Sequence, residues 1–270
     1  MDKKRLDILL VEKNLAPSRS KALQLIKDEC VYVNQQLILK AGYMCNRKDE
    51  IQIQKMDVLE YVSRGGLKLK KAITYFHLDF KEKVILDIGA STGGFSDCSL
   101  KHRAKFVYAL DVGSNQLDRS LRNHPKIKVY ENTNFKDVDA SYFDLNIDFI
   151  TIDVSFISIK SIILKINDLF CDKIIIGLYK PQFEVGKQAI GKNGVVRDKN
   201  AHLKALNEFQ EFLNHLGFCL CDMTYSPIKG AKGGNIEYLC LIQKQKIVPF
   251  NYKKVVEQAF KTLKEEEEIC

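Results

Sequence analysis

The sequence predicts an α/β protein in which a mostly parallel seven-stranded sheet follows a small α+β domain. Three observations predict it. Apolar runs suited to buried strands alternate with longer helical segments from residue 64 onward. Residues 1–58 have another rhythm, short helices followed by period-two strands. The first apolar run of the larger part breaks into a glycine-rich turn. A chain of 270 residues accommodates one sizeable domain and a small companion, divided here as 1–58, a linker at 59–63, and 64–270.

In the smaller part, Leu6, Leu9, Leu10 and Leu15 recur at helical spacing over residues 5–15, and Ala22, Leu23 and Ile26 do so over 18–29. Pro17 separates the two helices and Ser18 is a natural N-cap for the second. That helix opens on Arg19, Ser20 and Lys21, so cations and free backbone N–H groups share the end that would face an anion. Residues 31–36 and 49–54 alternate as strands. In the larger part, strands are predicted at 84–88, 106–111, 127–131, 148–153, 173–179, 218–225 and 236–243. Helices are predicted near 66–76, 95–102, 116–123, 157–169 and 200–215, and Glu265–Glu268 reads as a frayed helix end.

Bulk properties exclude several classes. No run approaches the roughly 18 apolar residues of a membrane span, and the basic start Met1–Arg5 has no apolar segment of signal type behind it. A cytoplasmic protein with no membrane partner is expected. Eight cysteines without a C-x-x-C pair point to free thiols and no metal site. A net charge of +8 favours a polyanionic partner without naming one.

The first strand runs into Asp87-Ile88-Gly89-Ala90-Ser91-Thr92-Gly93-Gly94-Phe95, a turn that lets a ligand approach backbone closely. Asp111 closes the next strand, where an acid takes ribose hydroxyls. A carboxylate at Asp87 would repel a pyrophosphate yet suit a cationic ammonium, which favours S-adenosylmethionine (SAM) over a dinucleotide. After the third strand, Asn134 and Phe135 are candidates for the adenine side.

Four charged residues fall at the functional edge of such a sheet: Lys68, Asp153, Lys180 and Glu237. Methylating a ribose hydroxyl requires a proton to leave as the oxygen attacks. A lysine is only about 0.1% neutral at pH 7.4, so a lysine base needs its pKa lowered by about 3. Burial and a second lysine push that way, whereas the two acids push back. Two roles for Lys180 stay open: general base, or orienting charge with water taking the proton.

The segments around Ser63-Arg64-Gly65-Gly66-Leu67-Lys68, the glycine-rich turn, Thr151-Ile152-Asp153-Val154-Ser155-Phe156, Lys180-Pro181-Gln182-Phe183-Glu184 and Ser226-Pro227-Ile228-Lys229-Gly230 together resemble the TlyA family of ribosomal RNA 2′-O-methyltransferases. Members have also been labelled haemolysins. The resemblance implies an RNA-binding domain like that of ribosomal protein S-four, then a Rossmann-like SAM-dependent domain of FtsJ type. Its Lys-Asp-Lys-Glu tetrad falls on Lys68, Asp153, Lys180 and Glu237. It further implies ribosomal RNA or subunits as partner, 2′-O-methylcytidine as product, and RNA contacts from Arg5, Arg19, Ser20, Lys21 and Arg64. Competing readings are a membrane-active haemolysin and a non-catalytic RNA-binding assembly protein.

Overall fold

A computed structural model describes residues 3–16, 19–27, 30–53, 60–170, 172–191, 194–230, 234–246 and 250–268. Pro17, Ser18, Cys171 and the side chains of Ser20 and Lys21 lie outside the described residues. The chain divides into two compact units, Met1–Glu60 and Tyr61–Cys270.

The first unit contains β1 (Lys3–Arg5), α1 (Leu6–Glu12), α2 (Arg19–Lys27), β2 (Val31–Val33), β3 (Gln36–Leu37), β4 (Met44–Asn46) and β5 (Ile51–Ile53). Its sheets are short. β1 pairs antiparallel with β4, and the other three run in the order β3-β2-β5. Leu6, Leu9 and Leu10 of α1 meet Ala22 and Ile26 of α2 and Val31 and Val33 of β2 in one small core. The predicted helix over 5–15 is shorter than its periodicity: Lys3–Arg5 is drawn into a strand by β4, a long-range pairing that local pattern does not reveal.

The second unit contains α3 (Gly65–Tyr75), β6 (Val84–Ile88), α4 (Gly94–Lys101), β7 (Phe106–Leu110), α5 (Arg119–Arg122), β8 (Ile127–Tyr130), β9 (Phe149–Ile152), α6 (Ile159–Leu169), β10 (Ile174–Tyr179), α7 (Lys199–His215), β11 (Phe218–Tyr225), β12 (Tyr238–Lys244) and α8 (Lys253–Glu268). The seven strands run β11-β12-β10-β9-β6-β7-β8, and β6 through β10 are mutually parallel. Only β12 is reversed, antiparallel to both β10 and β11. This is a Rossmann-like α/β fold. The chain steps outward from β6 to β8 and then returns to the other side of β6, so the C-terminal ends of β6 and β9 flank the switch point where such sheets take ligands.

Apolar faces cover both sides of the sheet. Ile159, Ile162, Ile163 and Ile166 of α6 follow the i, i+3, i+4, i+7 spacing and pack with α7 and α8 on one face. Leu69, Ala72 and Ile73 of α3 pack with Phe95 and Cys98 of α4 on the other. Side chains cap several helices: Ser158 accepts from Lys160 N, and Asp198 from Asn200 N. Residues 61–63, expected in a linker, belong to the second unit: Tyr61 is buried, and Val62 N donates to Asp97 Oδ2 at 2.8 Å. Among the described residues no helix is long and apolar enough to cross a membrane.

Candidate active site

The glycine turn lies between β6 and α4. Gly89 and Gly93 have φ of +87° and +95°, where a side chain is strained, and a β-carbon on Gly89 would stand 2.5 Å from the Asp153 carbonyl oxygen. The close approach joins the turn to the end of β9. A second one joins α4 to α3, since a β-carbon on Gly94 would meet Ser63 Oγ at 2.5 Å and Gly66 N at 2.8 Å. These contacts bring Arg64 and Lys68, on the first turns of α3, beside the loop.

Lys68, Asp153, Lys180 and Glu237 form two linked ion pairs. Lys68 Nζ donates to Glu237 Oε2 at 2.7 Å. Lys180 Nζ lies 2.6 Å from Asp153 Oδ1 and donates to Ser155 Oγ at 2.9 Å. Topology accounts for the meeting: β9 and β10 end at this edge, and the reversed β12 begins there. Lys68, Lys180 and Glu237 are buried. Buried charges need partners, and these have them. Burial opposes the charge on Lys68, but Glu237 and Asp153 outweigh it, with Arg64 acting against them, and its pKa is raised. Burial likewise opposes the Asp153 carboxylate, yet Lys180 and Lys68 hold it below the usual range. The lowered pKa that a lysine base would need is therefore absent at Lys68, which is an ammonium at neutral pH.

At the other end of the loop, Asp111 is partly exposed and accepts from Ser91 N at 2.8 Å and Gly113 N at 2.7 Å. Each carboxylate oxygen accepts about two hydrogen bonds, so a ribose diol can be added to those the loop supplies. The glycines at 89 and 93 let the turn pack against Asp153 and Leu121, and the acceptors of Asp111 beside that turn fit the ribose of SAM. Residues 115–117 are fixed by a group that sequence pattern did not single out. Glu131 accepts from the backbone N of Asn115, Gln116 and Leu117 at 2.8–3.1 Å and from both terminal nitrogens of Arg122. Burial opposes its charge, but Arg122 and the three amides bring its pKa down to about 2.

Other candidates sit differently from expectation. Asp87 is fully buried beneath the loop, accepting from Ser96 Oγ at 2.6 Å and Thr151 Oγ1 at 2.9 Å. Burial pushes its carboxyl up to about 7 against the two hydroxyls. It supports the turn from below and offers no surface to an ammonium group. Phe135 is a core side chain packed with Tyr108 and Val138, whereas Asn134 is exposed and caps a short turn by accepting from Lys136 N. In the first unit, Asp7 is buried and accepts from Arg5 Nε and Nη2 and from Arg19 Nε at 2.9–3.0 Å.

Two further features escaped the pattern. Phe156 is 87% exposed and has φ of +66°, an uncommon backbone state for a bulky residue, with its ring 5.4 Å from that of Phe183. His202 is buried between Tyr238 Oη at 2.9 Å and the Val196 carbonyl at 3.0 Å. A carbonyl only accepts, so Nε2 carries the proton and Nδ1 takes the tyrosine hydroxyl. Burial lowers the His202 pKa and keeps the ring neutral.

The family model described as FtsJ-like methyltransferase matches residues 61–244, and that of the S4 domain matches residues 4–51. The chain belongs to the FtsJ-like methyltransferase family. Its relatives include the candidate rRNA methyltransferase YqxC of Bacillus subtilis, 41% identical over 97% of this chain and 96% of the relative. The 23S rRNA (cytidine-2′-O)-methyltransferase TlyA of Campylobacter jejuni is 40% identical, covering 84% of this chain and 95% of its own. A solved structure of a candidate hemolysin from Streptococcus thermophilus aligns over 99% of both chains, at 38% identity and a TM-score of 0.78. An S4 domain ahead of an FtsJ-like domain is the arrangement that the resemblance to TlyA implied. The glycine turn, Asp111 and the two ion pairs all lie within the FtsJ-like match.

Proposed function

We propose that the protein transfers the methyl group of SAM to the 2′-hydroxyl of a cytidine ribose in ribosomal RNA. The observation that carries the reading is the meeting of Lys68–Glu237 and Lys180–Asp153 beside a glycine turn suited to an adenosine. Bound SAM supplies an electrophilic methyl on a sulfonium. The Gly89–Phe95 turn and Asp111 would hold its nucleoside, with the exposed Asn134 a candidate for the adenine edge.

As the hydroxyl proton leaves, negative charge develops on the ribose oxygen, and that charge is consumed as the oxygen bonds the methyl carbon that a SAM sulfonium would release as a neutral thioether. Two ammonium groups held by acids at fixed positions stabilise that charge without reorganising. Lys180, paired with Asp153 and Ser155, is the group set to orient the hydroxyl. Lys68, its pKa raised, acts as a donor and a charge. The proton passes to water, with Lys180 as the orienting charge. Phe156, exposed at the end of β9 beside Phe183, offers a face on which a displaced base can stack.

The first unit would grip RNA through Arg5 and Arg19, with Ser20 and Lys21 on the same helix start, and in the second unit Arg64 would contact RNA near the reacting ribose. The test is incubation with tritiated SAM and separated ribosomal subunits from a strain lacking the modification, then mapping of alkali-resistant linkages. The wild type is expected to label one or both subunits and Lys180→Ala to lose at least 100-fold in rate while retaining RNA binding. Equal labelling by the variant would remove the tetrad from the chemistry, and lysis of SAM-free liposomes by the purified protein would favour the haemolysin reading.

A further inference from the structure

Glu237 is held by more than Lys68. While Oε2 accepts from Lys68, Oε1 accepts from Gln182 Nε2 at 3.4 Å. Gln182 lies in a single 3-10 turn, Pro181–Phe183, that follows Lys180 directly and is closed by Phe183 N donating to the Lys180 carbonyl at 2.9 Å. This short segment is stapled to the loop after β9 on one side: Lys180 to Asp153, the Phe183 ring to Phe156, and Glu184 to Ser158 Oγ at 2.7 Å and Ile159 N at 2.8 Å. Gln182 carries the connection on the other side, to the start of β12.

A second observation concerns the other end of the amide. Gln182 Oε1 is buried and has no donor among the described residues. A buried acceptor without a donor is costly, and an unbranched apolar side chain of the same length would avoid the cost. Packing alone therefore does not account for a glutamine here. Its amide nitrogen does: a neutral donor can face Glu237 Oε1, whereas a carboxylate there would repel it.

We propose that Gln182 is a positioning residue for methyl transfer, whose amide fixes the Glu237 carboxylate and so couples the Lys68–Glu237 pair to the Lys180–Asp153 pair through one turn of chain. This rests on the reading of the site as a methyl-transfer centre. The 3.4 Å bond is long, as hydrogen bonds in a resting active site often are.

Full-length Gln182→Met and Gln182→Glu test the assignment, with kcat and KM for SAM measured separately on ribosomal subunits from pH 6 to 9. Gln182→Met is expected to lose about tenfold in kcat with KM for SAM within twofold, because orientation is lost and cofactor binding is not. Gln182→Glu is expected about tenfold below the wild-type rate at pH 9, where two like charges face each other, with the deficit narrowing toward pH 6 as the introduced carboxyl takes up a proton and can donate to Glu237. A third readout needs no activity: acylation of Lys68 by an amine-directed ester, followed by peptide mass spectrometry, should rise about threefold in Gln182→Met as Glu237 loosens. A kcat within twofold of wild type with unchanged Lys68 labelling overturns the proposal. So does a Gln182→Glu to wild-type ratio that is flat with pH, which also decides the matter if Gln182→Met does not fold. A wild type that methylates no subunit defeats the functional reading instead, and Lys68 labelling still decides the role of Gln182.

Discussion

Gly230 and Glu237 are in such close contact that a β-carbon on Gly230 would stand 2.5 Å from Glu237 Oε1. The carboxylate is the far end of a flexible side chain, so Gly230→Ala displaces it more easily than it strains the backbone. Gly230 is buried and the displaced carboxylate is paired with Lys68, so the variant is expected to lose about 1–3 kcal/mol, the usual cost of overpacking. Its kcat is expected to fall about 10- to 100-fold, because an ångström of misplacement in a charge cluster is worth that much. Paired denaturation curves and single-turnover methylation check both halves; equal activity would show that Glu237 needs no fixed position.

Asp87 sets a pH dependence whose sign is unusual for an acid. Its folded pKa, raised by burial to about 7, exceeds its ordinary 3.8, so the folded protein binds a proton that the unfolded chain has released. Stability from this group is greatest below about pH 4 and falls as pH rises to about 7, by as much as roughly 4 kcal/mol. Asp87→Asn keeps the shape and removes the titration. It is expected to gain on wild type at pH 8, by less at pH 5, and to match it only below about pH 4 in urea melts. A variant equally destabilised at all these values would mean that the carboxylate is charged throughout.

Glu131 works in the opposite sense. Its folded pKa of about 2 lies below its ordinary 4.5, so its stabilisation is present above pH 4.5 and disappears as pH falls toward 2. Glu131→Gln removes the charge that organises residues 115–117 beside Asp111. It is expected to cost about 2–3 kcal/mol at pH 7, the range for charge-assisted hydrogen bonds, and to weaken SAM about tenfold by calorimetry. Unchanged SAM affinity would separate that loop from the cofactor.

The buried Asp7 clamps Arg5 and Arg19. Their hydrogen bonds and charges hold its carboxyl below the usual range, with that of Arg5 foremost, against burial. Asp7→Asn adds one net positive charge, which by simple electrostatics strengthens RNA binding. If Asp7 instead positions the guanidinium pair, affinity falls by about tenfold despite the added charge. Filter binding across a range of salt concentrations, with SAM affinity as control, distinguishes the two.

Much of the site was legible because its markers are local. A glycine turn after an apolar run, an acid closing the next strand and charged ends on buried strands each signal from a few adjacent residues, as at Gly89, Asp111 and Lys180. Gln182 stood inside the Lys180–Glu184 motif and Glu131 at the end of a predicted strand, but their roles were not legible. Those roles come from partners 55 residues away just ahead of β12, and 9 to 16 residues away in α5 and the loop before it. Asp87 shows the converse. Its position in the motif was plain, but its full burial against Ser96 and Thr151, and hence its supporting role, depends on how α4 and β9 pack around it.

Periodicity, glycine placement and the order of strands and helices were enough for the sequence alone to determine the two-part α/β organisation, the parallel sheet and the position of the cofactor turn. Backbone sterics and apolar spacing act over a few residues, and a few residues suffice to read them. Tertiary structure decided which acid meets which lysine, that Lys68 stays charged, and that β12 runs backward to bring Glu237 to the same edge as Asp153. Those outcomes depend on distance and burial between segments remote in the chain, where Coulomb attraction and desolvation oppose each other and only geometry settles the balance.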